Sequence, residues 1–497
     1  MSRPKKFKER SLSELSELFG VELRNPEDRS VRISGVCSDS RLINPGDLFF
    51  ALPGEKNHGI AFLKAALERG AKAVITDSQG ADSSSQISPS TPLLVTPKPR
   101  SICGDVSSWF YGEPSKSLFI AGITGTNGKT TTTFILDQIW RAAGFNSGLI
   151  GTIGIKFAGH EIAATHTTPE SDELQRIFAC MKEAAVGKVA MEVSSHALHQ
   201  ERVASTHFKV AGFTNLTQDH LDYHLTMENY FAAKRKLFTY GLAELGIVCI
   251  DSDYGRRLYE DISIPKRSYS TTGKADWYFE RVDQNSTGYE LLIRGTDGIS
   301  IENQFNLIGR HNLENLLLAI AVAHESGVDP LVIAESLPSL VGAPGRLERV
   351  KSEKFIALVD YAHTPDAVTR ALAAVKDKGK RIIAVLGCGG DRDASKRPLM
   401  GVALNEGADI PIFTSDNPRS ENPEKIILDM TSSLEMKGRA EVIVDRKAAI
   451  QRAVELAMPG DLILVLGKGH ETGQEINGVK VPFSDRDALQ SAIEARK

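Results

Sequence analysis

The sequence predicts an α/β protein of three domains, and three observations support this. The chain has 497 residues, which is more than a single hydrophobic core usually organises. Short apolar segments rich in β-branched residues alternate with amphipathic stretches of helical length, as in a parallel sheet covered by helices. Clusters of glycine and proline at 111–116 and 342–346 interrupt this alternation. We therefore expect domain boundaries at these two clusters.

The two clusters give three predicted domains. Residues 1–112 should form a smaller α/β domain, residues 113–345 a central domain with a mostly parallel sheet, and residues 346–497 a Rossmann-like domain. A Ser/Pro-rich stretch, GADSSSQISPSTP at 80–92, has no internal period. Its length favours a loop inside the first domain over a further linker.

The composition is that of an ordinary soluble protein. Hydrophobic residues make up 41% of the chain, and 59 basic against 63 acidic residues give a formal net charge of -4. A nucleic-acid-binding protein usually carries a basic excess, so we expect no nucleic-acid partner.

The cysteines and the apolar segments indicate a cytoplasmic protein. The five cysteines are odd in number, widely spaced and without a Cys-x-x-Cys pair, as expected of reduced thiols. The basic N-terminus is not followed by an apolar signal core. No stretch approaches the roughly 18 consecutive apolar residues that a membrane span requires. We expect a monomer without a membrane span.

Polar clusters follow most of the predicted strands of the second and third domains. In open α/β sheets, ligands bind beyond the carboxyl ends of the strands, so these clusters are the expected functional positions. The predicted strands are LFIAGIT, VAMEVSS, VAGFTNL, IVCID, IALVDYA, IIAVLGC, IPIFTSD, EVIVD and LILVLGK. The clusters are TGTNGKT, EVSSH, TNLTQDH, DYAH, GCGGDRD, SDNPR and GKGHE.

The first of these clusters predicts a phosphate-binding loop. The stretch FIAGITGTNGKTTT at 119–132 ends in Gly-Lys-Thr at a strand-to-helix junction, although Ile123 stands where the commonest form has glycine. Its glycines allow consecutive N–H groups to converge on an anion, at the positive end of a helix that begins near Thr130 and closes at Gly144. A Gly-rich turn without a ligand is the alternative. The predicted nucleotide-binding residues are Gly125, Thr126, Asn127, Gly128, Lys129 and Thr130.

Two residues at strand ends suggest a metal site. Glu192 and His220 follow strands of the domain that carries the phosphate loop. Magnesium prefers a few oxygen ligands together with phosphate oxygens and water, so Glu192 with the Thr130 hydroxyl is a plausible set. Hydrogen bonding at the strand ends is the structural alternative. The spacing of His220 and His224 is compatible with zinc on a helix, but no cysteine or Glu accompanies it.

The irregular loop resembles the nucleotide loop of the Mur ligase family and its relative folylpolyglutamate synthetase, which are ATP-dependent amide-forming enzymes. The resemblance extends from SDSR near residue 38 to GKGHE near residue 470. It implies an enzyme that adds meso-diaminopimelate to UDP-N-acetylmuramoyl-L-alanyl-D-glutamate in peptidoglycan precursor synthesis. The reaction would use ATP and Mg²⁺, pass through an acyl phosphate, and form ADP and phosphate.

The resemblance also assigns catalytic residues. It implies that Lys129, Glu192, His220 and Lys234 act in catalysis. Lys234 would react with CO₂ to form a carbamate, which would be a magnesium ligand together with Thr130, Glu192 and His220. By composition alone, Lys234 in NYFAAKRKLF is one of three basic residues on an exposed helix face.

Further positions follow from the resemblance for the acceptor substrate. By composition the first-domain positions are polar turns. The UDP end would be held by Ser38, Ser40, Glu55, Lys56 and Asn57. The sugar-peptide portion would be held by Thr167, Thr168, Ser194, Gln200 and Arg202.

Near the second boundary, the resemblance implies residues that close over ATP. These are Asn312 in GRHNLENLLLAIA and Arg346 in GRLERV, in a region that also contains Asn315 and 360–363. The two asparagines begin an apolar stretch, so capping of a helix is the structural alternative.

The incoming amino acid would be recognised by the third domain. An acidic and a basic side chain together can bind a zwitterionic end, and the sequence DNPR supplies both, although Asp-Asn-Pro also makes a good turn. In the family, this signature is typical of diaminopimelate-adding enzymes, whereas lysine-adding relatives usually lack the arginine. The implied residues are Arg397, Asp416, Asn417, Pro418, Arg419, Gly467 and Glu471.

Several alternatives remain open at this point. One is the same ligase adding L-lysine, and another is a folylpolyglutamate-synthetase-like ligase, which should lack the N-terminal nucleotide-sugar segment. A phosphate-loop GTPase would need an Asn-Lys-x-Asp motif, which the sequence lacks. A non-catalytic nucleotide-binding scaffold gives no reason for Glu192, His220, Arg397 and Asp416 to occur together.

Overall fold

The computed structural model describes residues 4, 8–54, 57–83, 87–285, 288–376, 378–436 and 438–496. Three large sheets with covering helices follow one another along these residues, which confirms the predicted α/β class. The boundaries at residues 112 and 345 stay predictions.

The first sheet is formed by the N-terminal part of the chain. Its strands are β1 (Arg10–Ser11), β2 (Glu22–Leu23), β3 (Arg32–Ile33), β4 (Gly35–Cys37), β5 (Asp47–Phe50), β6 (Ala73–Thr76) and β7 (Leu93–Val95). Its helices are α1 (Leu12–Phe19), α2 (Leu63–Glu68), α3 (Ser78–Asp82) and α4 (Pro99–Phe110). Five strands pair in the order β2-β7-β6-β5-β4, and β1 pairs with β3. Of the stretch 80–92, which was predicted as a loop, residues 80–82 form the end of α3, and the rest of its described part lies between α3 and β7.

The central sheet is the largest of the three. Its strands are β8 (Phe119–Thr124), β9 (Ser147–Gly151), β10 (Gly154–Phe157), β11 (His160–Ile162), β12 (Lys188–Glu192), β13 (Phe208–Phe213), β14 (Ala243–Cys249), β15 (Lys266–Ser270), β16 (Trp277–Gln284), β17 (Tyr289–Arg294) and β18 (Ser300–Phe305). Their order is β11-β10-β9-β12-β8-β13-β14-β15-β16-β17-β18. In this spatial order, all neighbouring strands between β9 and β16 pair in parallel. The remaining pairs, which join β11 to β10, β10 to β9, β16 to β17 and β17 to β18, are antiparallel.

Helices cover both faces of the central sheet. They are α5 (Lys129–Ala142), α6 (Ser171–Glu183), α7 (Ser195–His199), α8 (Leu221–His224), α9 (Met227–Arg235), α10 (Asp253–Asp261), α11 (Arg310–Glu325) and α12 (Pro330–Ser336). On one face, α5 and α11 bury Trp140 and Leu317 completely, and on the other face α6 buries Phe178. Because both faces are covered, the inner parallel strands β8, β9 and β12 are buried along almost their whole length, and polar residues cluster at their ends.

The C-terminal part forms the third sheet. Its strands are β19 (Glu348–Val350), β20 (Ile356–Asp360), β21 (Ile382–Cys388), β22 (Ile410–Ser415), β23 (Glu441–Val442) and β24 (Leu462–Leu466), followed by the hairpin β25 (Gly473–Ile476) and β26 (Val479–Pro482). Its helices are α13 (Pro365–Val375), α14 (Lys396–Gly407), α15 (Pro423–Thr431), α16 (Arg446–Leu456) and α17 (Asp485–Ala495). The order β19-β20-β24-β21-β22-β23, with cores on both faces, is the doubly wound arrangement that the sequence predicts.

The predicted strands of the second and third domains are present, with small shifts at their ends. EVIVD is the main exception, because β23 ends at Val442. Seven strands of the central sheet, β9 to β11 and β15 to β18, were not predicted. In the described part of the chain, every helix is too short or too polar to span a bilayer.

Candidate active site

The phosphate loop between β8 and α5 has a backbone that requires glycine. Gly125 and Gly128 adopt φ angles of 147° and 91°. A Cβ atom would lie 1.9 Å from Thr214 Oγ1 at Gly125, and 2.2 Å from Asn315 Oδ1 at Gly128. The loop therefore has no room for side chains at these positions.

Two lysines, the half-buried Lys129 and the buried Lys234, lie against the phosphate loop. Lys129 Nζ donates to the carbonyl oxygens of Gly125 (2.9 Å) and Thr126 (2.8 Å), and Lys234 Nζ donates to the same Gly125 oxygen at 2.8 Å. Burial lowers the pKa of Lys129, and Glu192 opposes this shift. Burial, followed by the Lys129 charge, lowers the pKa of Lys234 well below its usual range. Lys234 is 1% exposed, so its placement on an exposed helix face, as composition indicated, is wrong.

Glu192 ends β12 beside the phosphate loop. Its Oε2 accepts a hydrogen bond from Thr130 Oγ1 at 2.9 Å. Its Oε1 accepts from the backbone N–H of Thr152 at 2.8 Å, and Oε2 accepts from Thr152 Oγ1 at 3.2 Å. The carboxylate and the hydroxyl predicted for magnesium therefore lie together, and both are buried.

His220 lies at the end of the segment that follows β13, immediately before α8. Its backbone is left-handed, with φ of 54°, and its Nε2 is 3.4 Å from Asp219 Oδ2. Burial, together with the charges of His196, Lys234 and Lys129, lowers the pKa of His220 to about 3 despite Asp219. The imidazole is therefore neutral at neutral pH, which is the form that binds a metal ion.

The zinc alternative receives no geometric support. The side chain of His224 is engaged with Ser195, whose Oγ lies 3.0 Å from His224 Nε2. Among the residues that the structure describes, no group of three or more His, Cys, Asp or Glu side chains is arranged to hold a metal ion. A magnesium ion, which needs only one or two carboxylates plus substrate phosphates, remains compatible with Thr130 and Glu192.

Asp219 is a residue of this region that the sequence analysis missed. Its Oδ1 lies 3.7 Å from Nζ of Lys396, the first residue of α14 in the C-terminal part. Burial opposes ionisation, but His220, His363 and Lys396 hold the pKa of Asp219 at about 2. Asp219 is thus an anion that connects the central part to the C-terminal part. Asp219 belongs to the TNLTQDH cluster, and this membership was the feature of the sequence that could have identified it.

A cleft beside the phosphate loop separates the central and C-terminal parts. A cavity of about 60 Å³ here is lined by Asn127, Gly128, Thr130, Thr131, Asn215, His311, Glu314, Asn315, Arg346, Asp360, Ala367, Arg370 and Ala371. Arg346 Nη2 is 3.5 Å from Thr130 Oγ1, and Asn127 Nδ2 donates to Asp366 Oδ2 at 3.1 Å. Arg346 therefore lies beside Asn127 and Thr130 of the loop, whereas Asn312 is not among the described residues that line this cleft.

The two asparagines of α11 do not cap the helix. The N-cap is Gly309, whose φ is 99°. Asn312 Nδ2 donates to the carbonyl oxygen of Ile308 at 2.7 Å, and Asn315 Nδ2 donates to Asn312 Oδ1 at 3.3 Å. The capping alternative is therefore wrong, and Asn315 contributes to the cleft instead.

Among the predicted UDP-binding residues, Ser38 lies at a contact between the N-terminal and central parts. Ser38 donates to Asp172 of α6 from its backbone N–H (2.9 Å) and from its hydroxyl (2.7 Å). Ser40 is half-buried and Asn57 is exposed. Glu55 and Lys56 lie outside the described residues. The role of this group in binding stays a prediction.

The residues predicted for the sugar-peptide portion form one hydrogen-bonded group around the end of β12. Thr168 Oγ1 donates to the Glu192 carbonyl oxygen at 2.9 Å and accepts from the Ser194 N–H at 3.1 Å. Arg202 Nη2 donates to Gln200 Oε1 at 2.7 Å, and its Nη1 donates to the Thr168 carbonyl oxygen at 3.2 Å. The fifth member, Thr167, lies 3.2 Å from Thr152, measured between the hydroxyl oxygens.

A second cavity, of about 540 Å³, brings this group together with the C-terminal part. The central part contributes Thr152, Ile153, Gly154 and 163–167, and the C-terminal part contributes Tyr361, Asn417, Arg419, His470, Glu471, Thr472, Gly473, Glu475 and Lys480. Three of the residues predicted for the amino acid, Asn417, Arg419 and Glu471, therefore line one cavity. Arg419 Nη1 donates to the Gly390 carbonyl oxygen at 2.6 Å.

Arg397 is not among the described residues that line this cavity. It is 2% exposed, and its guanidinium pairs with Glu421 at 2.7 Å and with Asp429 at 2.8 Å. Arg392, five residues earlier, is exposed. A Cβ atom built on Gly389 would lie 3.1 Å from Arg419 Nη1 and 3.9 Å from Arg392 Cγ, so the two arginines flank this glycine. The sequence analysis missed Arg392, although it belongs to the GCGGDRD cluster.

Asp416, Pro418 and Gly467 are also absent from the described lining of this cavity. Asp416 is 6% exposed and lies behind it. Burial raises the pKa of Asp416, while Arg446 and Lys468 act in the opposite direction. Gly467 has φ of 114°, and a Cβ atom there would lie 3.2 Å from Asp416 Oδ2.

Lys468 is a third residue that was not singled out from the sequence, although it belongs to the GKGHE cluster. Its side chain is fully buried. Its Nζ donates to Asp416 Oδ1 at 3.3 Å, Asn417 Oδ1 at 2.9 Å and Glu471 Oε2 at 2.8 Å. All three acceptors belong to residues predicted to bind the amino acid.

The phosphate loop, the cleft beside it and the doubly wound C-terminal sheet define a three-domain enzyme of the phosphate-loop class. Comparison with known proteins gives the family. Residues 123–323 match the Mur ligase middle domain, residues 345–469 the Mur ligase glutamate ligase domain, and residues 32–102 the catalytic domain of the Mur ligase family.

Similar proteins match over nearly the whole chain. The UDP-N-acetylmuramoyl-L-alanyl-D-glutamate--2,6-diaminopimelate ligase of Streptomyces coelicolor is 43% identical, over 99% of this chain and 98% of the relative. The ligase of the same name from Streptomyces avermitilis is 42% identical, over 97% of each chain. A solved structure of a ligase of that name has a TM-score of 0.68 at 32% identity, covering 98% of this chain and 99% of that chain. This chain belongs to the Mur ligase family.

Proposed function

We propose that this enzyme uses ATP to join 2,6-diaminopimelate, in its meso form, to UDP-N-acetylmuramoyl-L-alanyl-D-glutamate. ADP and phosphate are the other products. The reaction takes place in the cytoplasm, as a step of peptidoglycan precursor synthesis that serves cell shape and division. The names of the full-length relatives support the substrates.

The observation that carries the proposal is the position of Thr152. Its N–H and hydroxyl donate to Glu192, which in turn accepts from Thr130 of the phosphate loop. Thr152 also lines the cavity that contains Asn417, Arg419 and Glu471. A carboxylate activated at the loop and an amine held in the cavity would therefore meet at this residue.

In the proposed reaction, the γ-phosphoryl group of ATP passes to the side-chain carboxylate of the acceptor's D-glutamate. Lys129 and Arg346 lie at the loop as cations that offset the charge of two anionic partners. The amine then attacks the acyl carbon, a tetrahedral intermediate collapses, and phosphate leaves. The main contribution of the chain is to bring the reactants within bonding distance and to limit access of water.

Magnesium fits the residues at the loop. Thr130 and Glu192 would hold it through one hydroxyl and one carboxylate, and His220 and a carbamate on Lys234 are the further ligands of the proposal. When bound, the ion would neutralise charge on the phosphate oxygens.

Carbamate formation requires a neutral amine, which attacks CO₂ and then loses a proton. Burial and the Lys129 charge lower the pKa of Lys234, which favours that form. The carbamate would exchange a buried cation for an anion beside Lys129, which reduces the repulsion between two neighbouring lysines.

For the amino acid, the proposal assigns Asn417, Arg419 and Glu471 to direct contact with its far end. We assign the binding of the amino acid to Arg392 instead of Arg397. Arg397 is buried between two carboxylates, whereas Arg392 is exposed beside Gly389. An arginine in such a position can bind a carboxylate through two parallel hydrogen bonds.

The two alternative ligases can be weighed against the same residues. A folylpolyglutamate-type enzyme would not account for the family match at 32–102 or for the full-length relatives. A lysine-adding enzyme would leave Arg419 facing the cavity without a carboxylate to bind.

One end-point assay tests the proposal. The enzyme is incubated with ATP, Mg²⁺ and the muramoyl dipeptide, and meso-diaminopimelate, L-lysine or L-glutamate is added in turn. The expected result is amide and ADP in equal amounts with diaminopimelate, and little product with the other two. ATP hydrolysis that is indifferent to the acceptor, or a preference for lysine, would refute the proposal.

A further inference from the structure

Lys468 makes an unusual set of contacts for a residue outside the cavity. A fully buried ammonium must be compensated, and here three oxygens provide this at 2.8, 2.9 and 3.3 Å. These oxygens belong to Glu471, Asn417 and Asp416. Asp416 and Asn417 lie in the loop after β22, and Glu471 lies in the loop after β24. Lys468 therefore joins these two loops.

Two further hydrogen bonds connect the loop after β22 to residues that follow β24. Glu475 N–H donates to Asn417 Oδ1 at 3.0 Å, and Asn417 Nδ2 donates to Glu471 Oε2 at 2.9 Å. Both oxygen and nitrogen of the Asn417 amide are therefore engaged, and its oxygen is shared with Lys468. A change at Lys468 thus affects two residues of the cavity wall.

The charges around Lys468 can be counted. Asp416 and Glu471 carry two negative charges and Lys468 carries one positive charge, so this cluster has a net charge of minus one. The nearby pair of Arg446 and Asp485, fully buried at 2.7 Å, is neutral as a pair, and Arg446 also favours the ionised form of Asp416. At the cavity, Arg419 faces Glu475, with 3.4 Å between Nε and Oε2.

We propose that Lys468 is a specificity-determining residue, which fixes Asn417 and Glu471 and cancels one carboxylate charge, so that the cavity accepts an amino acid with a zwitterionic far end. This inference rests on the proposed function, because it requires the cavity to be the amine site. With Lys468 present, one net negative charge matches an ammonium, and Arg419 matches the adjacent carboxylate. Without it, the cluster would have two negative charges and would favour a far end that is only a cation, such as that of lysine.

The test is the Lys468→Met variant, assayed with meso-diaminopimelate and with L-lysine. The ratio of kcat/KM for diaminopimelate to kcat/KM for lysine should fall by about tenfold or more, mainly through KM for the amino acid. KM for ATP should not change. Lys447→Met, which removes an exposed lysine from α16, is the control for the loss of one charge.

A second variant protects the test against misfolding. Asn417→Asp adds a carboxylate while keeping Lys468, so the cluster again reaches minus two, and the same shift toward lysine is expected. Melting temperatures identify any variant that is not folded. If both substrates lose efficiency in parallel, or if the ratio stays within twofold of the unaltered enzyme in the variants that fold, the inference is wrong.

The unaltered enzyme separates the inference from the proposed function. Amide formation with diaminopimelate supports the proposed function whatever the variants do, and an unchanged ratio then overturns only the role of Lys468. If the unaltered enzyme uses neither amino acid, both the proposed function and this inference fail.

Discussion

Lys129 and Lys234 donate to one acceptor, the carbonyl oxygen of Gly125, at 2.9 and 2.8 Å. In their charged forms the two lysines would repel each other at this single oxygen, and the pKa of each is lowered, first by desolvation. The loop is therefore arranged for a strongly anionic ligand, and the two lysines are expected to differ in their roles.

Substitution of Lys129 should abolish catalysis without unfolding the protein. In Lys129→Met the phosphate loop loses the cation nearest to the expected γ-phosphate, and kcat should fall by about 10²–10³-fold. The measurement is ADP release in the presence of both other substrates, with the melting temperature as control. Retention of most of the activity would contradict the assignment of this loop to ATP.

Substitution of Lys234 should produce a defect that an external carboxylate can repair. Lys234→Ala removes the proposed carbamate, and a small carboxylic acid added to the assay can replace an anion but not an ammonium. We expect activity to fall by about 10²-fold or more and to recover partly with the added acid. Lys236→Ala, at an exposed position of the same segment, is the matched control.

The carbamate itself can be observed directly. With ¹³C-labelled bicarbonate, the unaltered enzyme should show a carbamate carbonyl signal in its NMR spectrum, and Lys234→Ala should not. Labelling of both proteins to the same extent would exclude Lys234 as the site.

Arg392 and Arg397 should give opposite phenotypes. Arg392→Ala should raise KM for diaminopimelate by about tenfold, since a hydrogen bond to a charged group contributes about 1.5–3 kcal/mol, and should leave the melting temperature unchanged. Arg397→Ala leaves Glu421 and Asp429 without their buried partner, so it should lower the free energy of unfolding by about 1–3 kcal/mol. A selective KM effect in Arg397→Ala would restore the sequence-based assignment.

Buried histidines should make the protein less stable in mild acid. The pKa of His224 falls from 6.5 to about 4 through burial and through the charges of His196 and Lys234. The pKa of His311 falls to the same value through burial and through Arg370 and Arg346. The unfolded chain therefore binds more protons than the folded chain between about pH 6.5 and pH 4, so stability decreases as the pH falls through this window.

Calorimetry at several pH values tests this expectation. His224→Gln keeps the side-chain volume similar and cannot titrate, so its melting temperature should depend less on pH over the same window. An equal slope in the variant would show that His224 is not responsible.

Particular residues show how far the sequence carried the interpretation. The phosphate loop and Glu192 were predictable, because each follows an apolar strand, and strand ends meet at one edge of a parallel sheet. Lys234 was accessible only through the resemblance, because its burial arises where α9 packs on the loop and leaves no trace in the composition of that helix.

Other features arise from contacts between distant parts of the chain. Lys468 and Asp416 are 52 residues apart, and Lys396 meets Asp219 across two domains. Local patterns cannot report such pairs, so Asp219, Lys468 and Arg392 were missed although each lies in or next to a recognised cluster. Strands β16 to β18 were missed because they form an exposed antiparallel edge with mixed polar and apolar residues.

The most direct test of the central claim follows oxygen atoms. The muramoyl dipeptide is prepared with ¹⁸O in the D-glutamate side-chain carboxylate, and the phosphate released in the presence of ATP and diaminopimelate is analysed by mass spectrometry. The account predicts that each released phosphate carries one oxygen from that carboxylate, because the amine displaces it from an acyl phosphate. Released phosphate without the label would contradict the account, since the phosphoryl group would then have been transferred to water.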